Sequence, residues 1–187
     1  MEEVIPCGIL IGPRLPVLMM PPTPRLTGLP PVVGPDPVVL ILGSFPSVIS
    51  LERGEYYANP RNRFWPLMEA LLGIQATLPY HVRTVRLKEK RIALWDVTKE
   101  CEREGSDDAA MKNEVLNDIP GFLRDHPTIS VIVLNGGGAG RIFHKSFADG
   151  IPGILILTLP STSPANARVG LPQLADTWSA LREFSGK

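Results

Sequence analysis

Residues 38–65 read VVLILGSFPSVISLERGEYYANPRNRFW, and the first five decide the fold class. Val38 to Leu42 is an unbroken run of β-branched and leucine residues, the pattern of a strand buried on both faces of a parallel sheet. At Gly43-Ser44-Phe45-Pro46-Ser47 the chemistry changes abruptly to a glycine, two hydroxyls and a proline of fixed φ. That turn lies at the carboxyl end of the strand, where open α/β sheets bind ligands. Beyond it Tyr56 and Tyr57 supply flat faces, and Asn59, Arg61, Asn62 and Arg63 supply hydrogen-bond donors. The stretch thus reads as a strand feeding an active-site loop, ending at a helix that starts near Phe64.

Working outward, three further apolar runs repeat the opening theme. Ile92–Leu94 ends in Trp95-Asp96, Ile129–Leu134 ends in Asn135 and a glycine run, and Ile154–Thr158 ends in Leu159-Pro160-Ser161-Thr162-Ser163-Pro164. Helical spacing is expected between them. Phe64, Met68, Leu71 and Leu72 share a side, with Pro66 tolerable in the first turn and Gly73 as the stop. Ser106 or Asp107 caps a helix running towards Asn117, Pro120 opens a short helix with Phe122 and Leu123, and another runs from the glycines through Phe147. Leu171, Leu174, Trp178 and Leu181 recur at helical spacing after Pro172. Strands alternating with helices predict an α/β domain of three layers, α/β/α, around a central, mostly parallel four-stranded sheet.

The composition excludes several function classes. The 19 basic and 19 acidic residues balance, so contact with a polyanion must rest on a local patch rather than a global field. The basic run Val82–Arg91 reads first as a solvated face, with a phosphate-facing patch as the alternative. Two cysteines are too few for a disulfide framework or an iron–sulfur cluster and point to a reducing, intracellular compartment: cytoplasmic, and nucleoid-associated in a prokaryote. The three histidines are scattered, and neither H-E-x-x-H nor paired C-x-x-C occurs, so no metal or other cofactor is expected. Gly-x-Ser-x-Gly is absent, which leaves a serine hydrolase without its elbow. Gly136 to Gly140 lacks the spacing of a phosphate cradle and reads as close strand–helix packing.

Ten of the 20 prolines fall within the first 37 residues. Lost donors and fixed φ deny this stretch both helix and central strand, so residues 1–25 read as an irregular arm and residues 26–187 as the domain. Glu2 and Glu3 precede the arm's apolar stretch and Pro6, Pro13 and Pro16 break it, unlike a secretory signal. No run reaches the roughly 20 apolar residues of a membrane span.

What remains is a site of amides, hydroxyls and aromatic faces with no strong nucleophile. Two proline-stiffened loops, at Ser44–Ser47 and Ser161–Arg168, offer small hydroxyls suited to phosphate oxygens. Such a site suits electrostatic stabilisation of a reaction whose leaving group departs as a delocalised anion.

GSFPS, SLERGEYYANPRNRFW, RIALWDV with the following C-x-R-x-G-S, the L-N-G at residue 135 and LPSTSPANA together resemble the uracil-DNA glycosylase superfamily. Within it they are most similar to the sixth family, the hypoxanthine-DNA (deoxyinosine) glycosylases, over roughly Leu26 to Leu181. The resemblance implies a metal-free, monofunctional enzyme, expected to be a monomer. It would hydrolyse the N-glycosidic bond of a deaminated base flipped out of DNA, in base-excision repair. Three positions depart from the family's pattern: Phe45 stands where an acid or amide usually positions water, Asn59 where histidine is commoner, and Ser47 where glycine is. The family's pattern then implies Asn62 as the catalytic residue, orienting water and stabilising the sugar cation. It implies Tyr57 as the stacking platform, Asp96 as an acceptor for a base N–H, and Phe45 as a wall. Ser44, Ser47, Ser161 and Ser163 would pinch phosphates. Pro164, Asn166 and Arg168 belong to the loop that enters the duplex, with Arg168 filling the vacated stack or holding a phosphate. Three alternatives stay open: a uracil or mispair-specific glycosylase, an inactive DNA-binding module on the same fold, and a nucleotide-binding regulatory domain.

Overall fold

The computed structural model describes residues 24–147 and 150–185. The expected arm lies outside the described residues except at its end, where Arg25 is already the first residue of strand β1, Arg25–Thr27.

Four parallel strands form the central sheet: β2 (Val39–Gly43), β3 (Ile92–Asp96), β6 (Val131–Asn135) and β7 (Leu155–Leu159), in the order β3-β2-β6-β7. Each falls within two residues of its expected apolar run. Both faces of β2, β3 and β6 are covered, which is why these strands are continuously apolar rather than alternating, while the edge strand β7 is partly exposed. Val39, Ile41, Ile92, Leu94, Val131 and Val133 pack one way with α2 (Phe64–Leu72), α3 (Tyr80–Glu89), α6 (Leu171–Thr177) and α7 (Leu181–Phe184). Leu40, Leu42, Ala93, Ile132 and Leu134 pack the other way with α4 (Ile119–Asp125) and α5 (Gly137–Ser146). The three-layer expectation is met.

The chain runs from β2 to β3 on one side and later to β6 on the other. The carboxyl edge beside β2 is therefore a topological switch point, where crevices form. Register brings the chemistry there: Gly43 pairs with Asp96, Leu42 with Leu134, and Asn135 with Leu159.

Three features differ from the sequence expectation. The helix expected between Asp107 and Asn117 is absent. Asp107 does cap, accepting from Ala109 N at 2.9 Å, but only a single 3₁₀ turn at Asp108–Ala110 follows. The chain then extends as β5 (Lys112–Leu116), which pairs with β4 (Thr98–Glu102) in a three-stranded antiparallel sheet ordered β1-β4-β5. Met111, Val115 and Leu116 carry helical spacing, but tertiary pairing overrides it: Asn113 sits at φ 51°, and Asn117 donates through N to Val97 O and through Nδ2 to Asp96 O. Secondly, the loop after β2 contains a short helix, α1 (Val48–Arg53), capped by Ser47. Thirdly, the last helical stripe is broken into α6 and α7. Trp178 ends α6 and donates through Nε1 to Pro160 O at 3.0 Å, tying that helix pair to the last loop.

Candidate active site

An open cleft of about 1110 Å³ occupies the switch point. Ser44, Phe45, Ser47, Tyr57, Asn62, Asp96, Ser161, Ser163, Pro164 and Asn166, four separate stretches of sequence, all line it. Arg168 alone among the expected site residues stands off, exposed on the last loop.

Asn62 lies two residues before Phe64, and its Oδ1 accepts from Phe64 N at 2.9 Å at the start of α2. A backbone N–H can only donate, so this contact fixes which end of the amide is oxygen. One Oδ1 lone pair remains for a water proton, and Nδ2 has no partner among the described residues. The neighbouring Arg63 holds the opposite loop: its backbone N donates to Thr162 O at 3.0 Å, and its guanidinium donates to the carbonyls of Ser163 and Asn166, each at 2.8 Å, and of Val169.

Tyr57 stands at φ 57°, a left-handed conformation that strains a residue with a Cβ. Two contacts hold it there. Phe64 stacks on it with ring centroids 3.9 Å apart and planes 18° apart, and Asn135 Nδ2 donates to its hydroxyl at 3.2 Å. Asn135 also donates to Thr162 Oγ1 at 3.0 Å and accepts from Thr162 N at 3.0 Å, so one amide joins β6, the Tyr57 loop and the last loop. Tyr56, by contrast, is a core residue whose hydroxyl donates to Leu29 O.

Asp96 forms the floor. It is only 4% exposed, and Oδ2 has no hydrogen-bond partner among the described residues. A Cβ on Gly43 would lie 2.4 Å from Asp96 Oδ1, so only glycine leaves room for the carboxyl. Burial, seconded by the charge of Asp108 and opposed by that of Arg103, pushes the Asp96 pKa up to about 8. Burial also raises the Tyr57 hydroxyl above its ordinary value, with Asp96 adding to the effect.

Asp108 and Arg103 were not anticipated. Asp108 lines the cleft from the 3₁₀ turn and accepts a short hydrogen bond from Ser44 Oγ. It lies against the start of α5, where a Cβ on Gly138 would be 2.4 Å from Asp108 Oδ2; the close strand–helix packing expected of the glycine run is at Gly140, where a Cβ would be 3.0 Å from Thr158 Cγ2 of β7. The buried Arg103 guanidinium lies 5.0 Å above the Phe45 ring, donates to Pro46 O and stands 3.7 Å from Asp108 Oδ1. Periodicity carries no signal for either residue, because both depend on the β4–β5 hairpin. Asn135 did carry one, as the polar residue ending a buried strand, like Asp96.

The hydroxyls divide into two kinds. Ser44 gives its only proton to the Asp108 carboxyl, and Ser47 caps α1, accepting from Ser50 N at 3.2 Å and donating to Ser50 Oγ at 3.0 Å. In this arrangement both hydroxyl protons are spent within the protein. Ser161 and Ser163 instead accept from the backbone N–H groups of Ser163 and Ala165, leaving their protons free. Asn166 braces the loop, with Nδ2 donating to Ser161 O at 2.9 Å. Phe45 is buried beside the cleft and serves as a wall.

The basic run Val82–Arg91 does not line the cleft. Arg83 lies 4.4 Å over the Trp65 ring, Arg86 pairs with Glu89 at 2.9 Å, and Arg91 donates to Asp36 O near the amino end of β2. Arg86→Ala is therefore expected to leave the salt dependence of DNA binding unchanged in a titration from 50 to 200 mM salt. A slope lower by about one phosphate contact would place this helix on DNA instead.

Among the described residues no three His, Cys, Asp or Glu side chains gather as a metal site, and no helix is long and apolar enough to cross a membrane.

Residues 30–184 match the family model described as the uracil DNA glycosylase superfamily. A protein of Methanosarcina acetivorans named hypoxanthine DNA glycosylase is 38% identical over 155 residues, 82% of this chain and 96% of its own length. One of the same name from Methanosarcina barkeri is 35% identical over 143 residues, 75% of this chain and 88% of its own. A solution NMR structure from Methanosarcina acetivorans, of a protein provisionally named a uracil DNA glycosylase, superposes with a TM-score of 0.74 at 33% identity, covering 86% of this chain and 98% of the other.

Proposed function

The chain belongs to the uracil DNA glycosylase superfamily, and from that membership and the cleft we propose that it excises hypoxanthine from deoxyinosine in DNA, acting as a monomer without a metal. The observation that carries the reading is the grouping of Asn62, Tyr57 and Asp96 around one cleft, with the free Ser161 and Ser163 hydroxyls on its rim.

The flipped base stacks on Tyr57, whose orientation is held from behind by Phe64 and from the side by Asn135; stacking of this kind contributes about 1–3 kcal/mol per base and tolerates different bases. Its polar edge meets Asp96. Ser161 and Ser163 donate to the flanking phosphates, and Pro164 and Arg168 enter the space the base has left. As the glycosidic bond lengthens, positive charge builds on the sugar. The partial negative charge of Asn62 Oδ1 faces it and accepts a hydrogen bond from the attacking water; as the new C–O bond forms and the C–N bond breaks, the water's proton passes to solvent or to the departing base anion. An amide is too weak a base to remove that proton outright, so the residue contributes orientation and charge, and the developing cation supplies the driving force.

The test uses labelled duplexes carrying a single inosine or a single uracil, treated with alkali after incubation to cleave abasic sites. Strand cleavage at inosine is the expected result. Cleavage at uracil alone would favour the reading suggested by the structural relative's name, and binding without cleavage would make the chain an inactive module.

A further inference from the structure

Asp96 is used above only as an acceptor, yet its surroundings do not suit an anion. Its carboxyl is buried at the end of β3, and the one nearby guanidinium, Arg103, makes its one hydrogen bond to Pro46 O, lies over the Phe45 ring and stands 3.7 Å from Asp108, with Nε and Nη1 hydrogen-bonded to nothing among the described residues and no nitrogen within ion-pair distance of Asp96. The other groups around it offer no positive charge. Asp108 on the 3₁₀ turn, Tyr56 and Tyr57 in the loop after α1, and Tyr80 on α3 are near enough for a negative charge on any of them to oppose its ionisation; Asn117 donates to its backbone oxygen rather than to its carboxyl. A desolvated carboxyl among such neighbours holds its proton. Its unpartnered Oδ2 belongs to a group that lines the cleft beside Tyr57.

We propose that Asp96 reads the base as a neutral carboxylic acid, its O–H donating to a ring carbonyl while its C=O accepts from the adjacent ring N–H. This deepens the hypoxanthine reading and rests on it. The pair of groups it matches is a lactam, N–H beside C=O. Deamination creates that pair in both bases: N1–H and C6=O in hypoxanthine, N3–H and C4=O in uracil. An ionised carboxylate would accept from the N–H and repel the neighbouring carbonyl, so the protonation state selects the class of base. The acid also favours departure, because its O–H strengthens its bond to the carbonyl as negative charge spreads onto the leaving ring.

Asparagine at this position would be a permanently neutral mimic, one donor and one acceptor in nearly the same shape. Single-turnover excision from inosine and uracil duplexes is therefore to be measured from pH 5 to pH 10 for the wild type, Asp96→Asn and Asp96→Leu. The wild-type rate should be level to about pH 8 and then fall roughly tenfold per unit. Asp96→Asn should lose no more than about tenfold at pH 7 and show no fall, while Asp96→Leu, leaving both lactam groups unpaired, should lose about 10²–10³-fold. Thermal melts across the same range separate loss of activity from unfolding. A wild-type rate level to pH 10, or an Asp96→Asn variant as impaired as Asp96→Leu, would overturn the proposal. Release of uracil without hypoxanthine would refute the substrate reading while leaving Asp96 testable on uracil, and release of neither base by the wild type would refute both.

Discussion

Asn62→Ala is expected to slow release of hypoxanthine by about 10²–10³-fold at saturating enzyme, the loss typical when one preorganised polar group is removed from a developing charge. The same change removes the acceptor for Phe64 N, but that bond contributes only about 1 kcal/mol to the fold. A melt should therefore shift by a few degrees while catalysis collapses. Asn62→Asp sharpens the point. A carboxylate still accepts from Phe64 N and retains a lone pair for water, but loses the Nδ2 donors. Activity in Asn62→Asp close to wild type would show that Oδ1 alone is needed; a loss as deep as in the alanine variant would show that Nδ2 takes part. A wild-type rate in Asn62→Ala would remove this residue from the mechanism.

Phe64→Ala should be the most damaging single change to the fold with a direct bearing on the site. Phe64 is fully buried, stacks on Tyr57 and packs edge-on against Trp65 at 5.1 Å. Truncation should cost about 3–5 kcal/mol. It also releases Tyr57, whose positive φ is a strained conformation costing about 1–3 kcal/mol that persists only while its surroundings over-determine it. Chemical denaturation should show the lost stability, and base excision under conditions where the variant is still folded should fall further than in Asn135→Ala, which removes the bond to the Tyr57 hydroxyl and both bonds to Thr162 but leaves the Phe64 stack in place. Equal excision by Phe64→Ala and the wild type under folding conditions would mean that Tyr57 does not need its platform.

The parts of the fold that periodicity reaches were legible. Val39–Leu42, Ile92–Leu94 and Val131–Leu134 are buried on both faces, so each reads as an apolar run whatever its neighbours do, and Asp96 and Asn135, the polar residues ending β3 and β6, fall at the carboxyl edge by register alone; β7, the edge strand, is apolar but partly exposed. Lys112–Leu116 was not legible. Four of its five residues are exposed, and it is a strand only because β4 lies beside it. With that hairpin went Asp108 and Arg103, and with Asp108 went the true partner of Ser44. The cap at Ser47 was hidden for a different reason: a serine before a short helix and a serine before a phosphate are the same letter, and its bonds to Ser50 N and Oγ show the helix cap. Asp96 reaches the cleft by its place at the end of β3, but the charges around its carboxyl depend on where Arg103 and Asp108 lie, which no spacing rule records.

The Arg63 clamp has a consequence for how this enzyme can vary. All its acceptors on the last loop are main-chain carbonyls: that of Thr162 for its backbone N, and those of Ser163, Asn166 and Val169 for its guanidinium. Every amino acid presents a carbonyl, so the clamp imposes no identity on the side chains between them. Ala165, Ala167 and Arg168 are exposed there and can be exchanged without shifting the rim relative to Asn62, one residue from Arg63. The loop is a cassette: its tip can vary while its seat stays fixed, and Arg63 is the residue that such variation must leave alone.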